Sequence, residues 1–193
     1  MLKDLFISEV RVNILKTILP FPEKSFHVRA IVREVETEIN AVRRELARLT
    51  NLGLLRKRPS GNRIYYSGDT RSPYYPELLS LLAKESGLGY EIIKSTKKLG
   101  DVKFAVLSRG FSRGRKFGVF DVDLFLVGSV ELKTLDDIVK RYQDKLSREI
   151  NYSVMSVEDF EFRKRKNDQF IMKILSQSRT MLIGDEEEFS VIM

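Results

Sequence analysis

The chain has 193 residues, 42% of them apolar, which is enough to bury one large core or two small ones. Its formal net charge of +7 favours an anionic partner, provided that the basic excess is concentrated at one place. There is no cysteine, which excludes disulfide bonds, thiolate metal ligands and a cysteine nucleophile. No signal-peptide pattern follows Met1, and no apolar run approaches the roughly 20 residues of a membrane span. We therefore expect a cytoplasmic protein without membrane contact.

Three helices are predicted in the first quarter of the chain. Their apolar residues recur at three- and four-residue steps, and helix-capping or helix-breaking residues lie between them. Ser25 and Thr37 are candidate N-terminal caps of the second and third helices, and Gly53 has the position of a C-terminal glycine. The predicted helices cover residues 5–19, 28–35 and 41–52.

A β-hairpin and a connecting helix are predicted to follow. The hairpin has strands 54–58 and 63–66 around a four-residue turn, 59–62. A polar, proline-bounded segment then leads to a helix over 76–84. We expect this helix to link two domains, within a linker of residues 73–87, or to make a dimer contact.

The third helix has an apolar face and a basic face. Its inward positions are Val42, Leu46 and Leu49. The outward face carries donors suited to base edges or phosphates: Asn40, Arg43, Arg44 and Arg48. The hairpin adds further donors near its tip: Arg56, Lys57, Arg58, Asn62 and Arg63. Residues 28–71 hold ten basic residues and five acidic ones, which favours a footprint on DNA over an ordinary solvated basic face.

These segments resemble a known class of DNA-binding domain. Residues 37–49, followed by Leu52-Gly53-Leu54-Leu55 and 61–66, are similar to the ArsR-type winged helix-turn-helix of bacterial and archaeal transcription regulators, over residues 5–70. The resemblance implies a cytoplasmic, dimeric regulator that binds a palindromic operator in double-stranded DNA. Metal-sensing members use clusters of Cys and His, whereas this chain has only His27. We expect His27 to be structural or exposed.

The second half alternates strands and helices, which is typical of an α/β domain. The acidic run 185–188 is expected to be a solvated tail segment. The predicted strands cover residues 102–107, 120–127 and 150–155, and the predicted helices cover 135–147 and 157–176.

Asp121 and Asp123 lie two residues apart in a predicted strand, so alternation places both carboxylates on one face. Two such carboxylates can share a divalent cation, or they can be solvated acids at the entrance of a strand. Ser112-Arg113-Gly114 with 121–128 resembles the core motif of the minimal nucleotidyltransferase family, related to DNA polymerase beta. The similarity covers residues 75–190 and includes 148–154, 158–160 and 182–185.

The resemblance implies that Asp121 and Asp123 bind Mg²⁺ and the nucleoside triphosphate that it accompanies. The third carboxylate of the family corresponds to Asn151, which cannot act as a base, and alternation offers Glu149 as a substitute. The family's Gly-Ser pair for phosphate binding corresponds here to Arg109-Gly110. The candidate nucleotide-binding residues are Ser108, Arg109, Gly110, Ser112 and Arg113, with Arg115 and Lys116 extending the basic loop.

The sequence thus predicts a two-domain protein of the α+β and α/β classes. A winged helix-turn-helix domain covers 1–72, and a nucleotidyltransferase-like domain, a mixed sheet with helices, covers 88–193. We expect a homodimeric DNA-binding transcription regulator whose second domain has weak catalytic activity or none. The alternative is an active, Mg²⁺-dependent nucleotidyltransferase of antitoxin type. It would move a nucleoside monophosphate to a nucleic acid or to a partner protein such as a toxin. A protein-interaction module that does not touch DNA is a further alternative.

Overall fold

The computed structural model describes residues 2–114 and 121–191, apart from the side chain of Lys3. It is a mixed α and β structure with two sheets. The chain divides into two compact units, which we call unit 1 (Met1–Glu85) and unit 2 (Ser86–Met193). In the described residues, no helix is long and apolar enough to cross a membrane.

Unit 1 combines five helices with a three-stranded antiparallel sheet, counted over its described residues. The sheet has the order β1-β3-β2, and the helices α2, α3, α4 and α5 bury their apolar faces in one core. The elements are α1 (Leu2–Phe6), α2 (Glu9–Ile18), β1 (Phe26–His27), α3 (Val28–Val35), α4 (Ile39–Asn51), β2 (Leu55–Ser60), β3 (Arg63–Gly68) and α5 (Tyr75–Glu85).

The helix predicted over 5–19 is interrupted, so that prediction is wrong at its start. Ile7 has a positive φ of 57°, and the Ser8 side chain accepts a hydrogen bond from the Arg11 amide at 3.2 Å, which starts α2 anew. The Arg11 guanidinium donates to the Phe6 carbonyl at 2.8 Å and so satisfies the end of α1. The interruption thus depends on side-chain hydrogen bonds, which apolar periodicity does not reveal.

The caps of α3 and α4 also differ from those predicted. His27, not Ser25, caps α3, because its Nδ1 accepts the Arg29 amide at 3.3 Å. This contact gives His27 a structural role. Glu38, not Thr37, is the cap residue of α4, and its side chain makes no capping hydrogen bond.

The hairpin turn is shorter than predicted. Ser60 pairs with Arg63, so only Gly61-Asn62 connect the strands, with Gly61 at a φ of 55°. Pro59 therefore lies in β2 rather than in the turn. A proline is tolerated there because β2 is an edge strand of the sheet.

The helix predicted in the linker 73–87 packs in unit 1. Tyr75 is fully buried, and its hydroxyl donates to the Leu19 carbonyl at 2.7 Å. Leu79 and Leu82 on the same helix join the core of unit 1. The contacts of α5 therefore stabilise the core of unit 1.

Unit 2 is built on a four-stranded mixed sheet of order β6-β5-β4-β7, in which β5 and β6 are parallel and the other pairs antiparallel. A single-turn 3-10 helix, Thr96–Lys98, precedes the first strand. The other elements are α6 (Gly87–Lys94), β4 (Gly100–Ser108), α7 (Arg109–Ser112), β5 (Leu124–Val130), α8 (Leu132–Leu146), β6 (Tyr152–Met155), α9 (Val157–Arg165), α10 (Gln169–Ser176), β7 (Arg179–Ile183) and α11 (Glu186–Ser190).

The single helix predicted over 157–176 is two helices, α9 and α10. Asn167 between them has a positive φ of 52°. The Asp168 carboxylate accepts the amides of Phe170 and Ile171 at 3.1 and 3.2 Å and thereby begins α10.

The acidic run 185–188 is not a solvated tail, because it forms the start of α11. Asp185 caps this helix through the Glu188 amide at 2.9 Å. Phe189 is fully buried and stacks on Phe160, with the ring centroids 5.2 Å apart. The buried ammonium of Lys164 donates to the carbonyls of Glu188 and Phe189 at 3.3 and 3.4 Å. The acidic side chains are exposed, but the helix that carries them completes the core of unit 2.

The first prediction concerns the link between α2 and α4. Arg11 donates to both carboxylate oxygens of Glu45, at 2.8 and 3.2 Å, and lowers the pKa of that carboxyl. Arg11→Met should lower the free energy of unfolding by about 1.5–3 kcal/mol at neutral pH, since the pair is charged and largely buried. Because the pKa of Glu45 is lower in the folded chain than in the unfolded chain, its ionisation stabilises the fold at pH values above the unfolded pKa. This contribution is lost as the pH falls through the pKa of the folded state.

Urea unfolding over a pH series measures this effect, and the difference between the wild type and Arg11→Met should shrink in acid. Arg29→Met is the matched control, because Arg29 is exposed. A difference that stays constant down to strongly acidic pH would contradict the assignment.

The second prediction concerns α11. Phe189→Ala should destabilise the protein by about 3–5 kcal/mol, because it leaves a cavity among buried aromatic rings. Phe162→Ala, at a side chain that is 54% exposed, is the control. Thermal unfolding that shifts no further for Phe189→Ala than for Phe162→Ala would show that α11 does not belong to the core.

Candidate functional site

The basic face of α4 is exposed as predicted. Val42, Leu46 and Leu49 are buried, which confirms the inward face. The side chains on the opposite positions are all exposed: Asn40, Arg43, Arg44 and Arg48. Helical geometry makes Arg44 and Arg48 neighbours one turn apart. A packed apolar face therefore holds a row of cationic donors toward solvent.

The hairpin register sorts its basic side chains onto two faces. Arg58 lies opposite Tyr65, and two residues further on Ser60 lies opposite Arg63, so Arg58 and Arg63 share one face. Lys57 lies opposite Tyr66 on the other face. The tip residue Asn62 is also exposed.

The cations of α4 and of the hairpin differ in whether an acidic side chain lies close to them. Arg56 is held by Asp69, with Nε 3.9 Å from the carboxylate, and its guanidinium also donates to the Gly68 carbonyl at 3.5 Å. Within the part of the chain that the structure describes, the remaining predicted cations have no acidic group within 4.0 Å: Arg43, Arg44, Arg48, Lys57, Arg58 and Arg63. Arg48 still interacts electrostatically with Glu45, whose pKa is lowered by Arg11 and, to a smaller extent, by Arg48. The other five charges are available to an external anion.

A second candidate site lies in unit 2, where both predicted carboxylates form ion pairs. Asp123 is 3% exposed; its Oδ1 is 3.2 Å from the Arg148 guanidinium, and its Oδ2 accepts the Asn151 amide at 3.1 Å. Asp121 is 2.7 Å from the Lys173 ammonium. We call these four charged side chains, Asp121, Asp123, Arg148 and Lys173, the acidic centre. Neither cation was among the residues predicted from the sequence.

The carboxylates precede β5 rather than opening it, because that strand begins at Leu124. The backbone still fixes Asp123 closely. Its amide donates to the Asn151 carbonyl at 2.7 Å, and its carbonyl accepts the Ser108 amide at 2.8 Å. Asp123 thus lies where β4, β5 and the approach to β6 meet. Glu149 is exposed and lies before β6, so the alternation that offered it as a substitute ligand does not apply.

Burial raises the pKa of Asp123, and the neighbouring Asp121 carboxylate raises it further. The Asn151 amide and the Arg148 guanidinium both oppose this shift, and the net direction is upward. Arg148 therefore offsets only part of the cost of burying this carboxylate.

The side chains present do not fit a divalent cation in their observed arrangement. Each carboxylate already holds a protein cation, and Asn151 supplies its backbone amide to Asp123. Among residues 2–114 and 121–191, no group of three or more His, Asp or Glu side chains could hold a metal ion. Hard divalent cations favour several free oxygen ligands, which this centre does not offer.

The predicted nucleotide-binding turn is used by the fold itself. The Ser108 hydroxyl accepts the Phe111 amide at 3.3 Å and caps α7, and the Ser112 hydroxyl donates to the Ser108 carbonyl at 3.3 Å. The Arg109 amide donates to the Ser178 carbonyl at 2.9 Å, which attaches the turn to the start of β7. Gly110 and Arg113 are half-buried, and Arg115 and Lys116 lie outside the described residues.

A small cavity lies beside this turn. It has a volume of about 10 Å³ and is lined in part by Ser108, Val122, Gln177 and Arg179. This volume holds about one water molecule, far less than a nucleotide requires. This cavity beside the turn therefore has no room for a triphosphate.

The third prediction concerns Asn151. Because its backbone binds Asp123, Asn151→Ala should change the free energy of unfolding by less than about 1 kcal/mol. Chemical denaturation measures this value, with Asn51→Ala as a control amide substitution at an exposed helical position. A decrease of several kcal/mol in the free energy of unfolding would contradict this prediction. It would show that the side chain of Asn151, and not only its backbone, stabilises the fold.

The chain matches no protein family, and no curated protein or solved structure is significantly similar to it. The functional interpretation therefore depends on the geometry of the basic face, the hairpin and the acidic centre.

Proposed function

We propose that unit 1 is a winged helix-turn-helix that binds double-stranded DNA, with α4 as its recognition helix and the β2–β3 hairpin as its wing. The observation that carries this proposal is the set of exposed cations on these two elements that have no acidic group within 4.0 Å among the described residues: Arg43, Arg44, Arg48, Lys57, Arg58 and Arg63. Unpaired cations on two consecutive elements favour a polyanion over the solvated surface of an ordinary domain.

The two elements suit different parts of a DNA duplex. An α-helix fits the major groove, where an arginine can bridge the two acceptors of guanine and an asparagine can pair with adenine. Arg44 and Asn40 lie on the exposed face of α4 and are the candidates for base contacts. Arg58 and Arg63 share one face of the hairpin and are the candidates for phosphate contacts.

The proposal extends to unit 2, which we interpret as a nucleotidyltransferase-like domain without metal-dependent transfer activity. The mixed sheet and the position of Asp121 and Asp123 before its central strand β5 support the likeness. The ion pairs of both carboxylates and the small cavity at Ser108 support the loss of activity. Transfer to a nucleic acid or to a toxin-type partner would require Mg²⁺ at carboxylates that already hold protein cations.

In this proposal the protein regulates transcription as a homodimer, and a palindromic operator supplies one half-site for each copy of unit 1. The two recognition helices of such a dimer enter successive major grooves about 34 Å apart. Unit 2 is then a non-catalytic domain that contributes to dimerisation or to ligand binding.

The fourth prediction separates base reading from phosphate binding. Arg44→Ala should cost about 1–3 kcal/mol of binding free energy and relax the preference at one base pair. Arg58→Ala should instead weaken binding to all sequences alike and reduce the salt dependence by about one phosphate contact. Selection from a random DNA library followed by titration at several salt concentrations measures both effects.

Arg56→Ala is the matched control on the hairpin, because Asp69 already holds that guanidinium. It should change the affinity and the salt dependence less than Arg58→Ala does. Equal effects of all three variants on every sequence would overturn the assignment of α4 as the reading element. A wild-type chain with no salt-dependent affinity for any duplex would overturn the proposed function itself.

A further inference from the structure

We infer that Arg148 and Lys173 are the resident counter-cations of unit 2, occupying the places beside Asp123 and Asp121 that a divalent cation would need. This inference rests on the second part of the proposed function, the absence of metal-dependent transfer. Beyond that absence, these two side chains take the place of the metal and help to hold the domain together.

Arg148 is held on two sides. Its guanidinium is 3.2 Å from Asp123 Oδ1, and it also lies 4.4 Å from the centroid of the Phe111 ring. This side chain is only 18% exposed, so a cation–π contact adds to the ion pair in a largely desolvated place. Because Phe111 belongs to α7, Arg148 connects that helix to the end of the sheet. A metal ion that displaced Arg148 would break both contacts.

Lys173 performs the corresponding role for Asp121. Its Nζ lies 2.7 Å from Asp121 Oδ1, and it reaches the carboxylate from α10. The two side chains are 46% and 28% exposed, so this pair is more hydrated than the pair at Asp123. The acidic centre therefore receives one cation from the segment before β6 and one from α10.

The charge balance explains why a metal gains little at this centre. Asp121 and Asp123 contribute two negative charges, and Arg148 and Lys173 contribute two positive ones, so the ionised centre is neutral. A divalent cation added to a neutral centre makes it doubly positive, and one that replaces the side chains must first break their ion pairs. The four side chains thus form a metal-independent centre.

The same contacts give the centre a structural role. Removal of Arg148 leaves a carboxylate that is 3% exposed without its nearest countercharge, which is destabilising for a buried acid. If the charge of Asp123 causes the loss, Asp123→Asn in the same chain should restore part of the stability. If Arg148 acts only by packing on Phe111, Asp123→Asn should restore none of it.

The experiment uses the full-length chain and two readouts. In the first, Mn²⁺ is titrated into the wild type and into Asp121→Asn, Asp123→Asn, and free Mn²⁺ is measured by electron paramagnetic resonance. The two proteins should retain the same amount of Mn²⁺. Retention of one further equivalent by the wild type alone would overturn the inference.

In the second readout, thermal unfolding compares Arg148→Met, Arg148→Met with Asp123→Asn, and the exposed control Arg165→Met. We expect a lower Tm for Arg148→Met, partial recovery in the double variant and little change in the control. Failure of Asp123→Asn to recover any of the loss would overturn the role of Arg148 as countercharge. If Arg148→Met does not fold, the Mn²⁺ comparison still decides the inference.

The outcomes distinguish this inference from the proposal on which it rests. Equal Mn²⁺ retention without recovery in the double variant would leave the acidic centre without a metal site but deny Arg148 its assigned role. Retention of Mn²⁺ at the acidic centre would overturn both. Neither result affects the DNA affinity of unit 1, which is measured on the same wild-type preparation.

Discussion

The distribution of acidic partners among the basic side chains is the constraint on which the rest of this structure depends. Arg11, Arg148 and Lys164 all have partners and fix elements that are distant in the sequence. Arg11 joins α2 to α4, Arg148 joins α7 to the sheet, and Lys164 binds the carbonyls at the end of α11. These buried or half-buried cations act as parts of the core, because they satisfy carboxylates and carbonyls that are themselves buried or half-buried.

The cations of α4 and the hairpin cations Arg58 and Arg63 show the opposite arrangement. Arg44 and Arg58, for example, are exposed and have no acidic side chain within ion-pair distance among the described residues. The basic side chains thus form two groups, one that helps to assemble the fold and one that is presented to solvent. Only the second can supply the counterion release that binding to DNA requires.

Local patterns in the sequence were sufficient where packing follows periodicity. The bounds of α3, 28–35, and the inward face of α4 at Val42, Leu46 and Leu49 were predicted correctly from apolar spacing alone. The interruptions at Ile7 and Asn167 were missed because they depend on side-chain caps. In the hairpin, Arg58 and Arg63 share a face only because of the observed strand register. A shift of one residue in that pairing would move the side chains of one strand to the other face.

In the candidate site of unit 2, too, the features with a local sequence pattern were predicted and those that depend on tertiary contacts were missed. Asp121 and Asp123 were found because their spacing is a local pattern, whereas Lys173 lies on a helix more than fifty positions away, with nothing nearby to indicate its partner. Arg148 lay inside a recognisable segment, yet its contacts with Asp123 and Phe111 arise only from the tertiary fold. The sequence thus indicated the acidic pair but not the cations that change its chemistry.

The most direct test of the account is the salt dependence of DNA binding by the full-length chain. If Arg58 and Arg63 hold phosphates, the logarithm of the association constant should fall linearly with the logarithm of salt concentration, with a slope of at least about −2 per bound copy. The slope should flatten when these two side chains are replaced by alanine. A wild-type affinity that does not change with salt, or a slope that is the same with and without Arg58 and Arg63, would contradict the account.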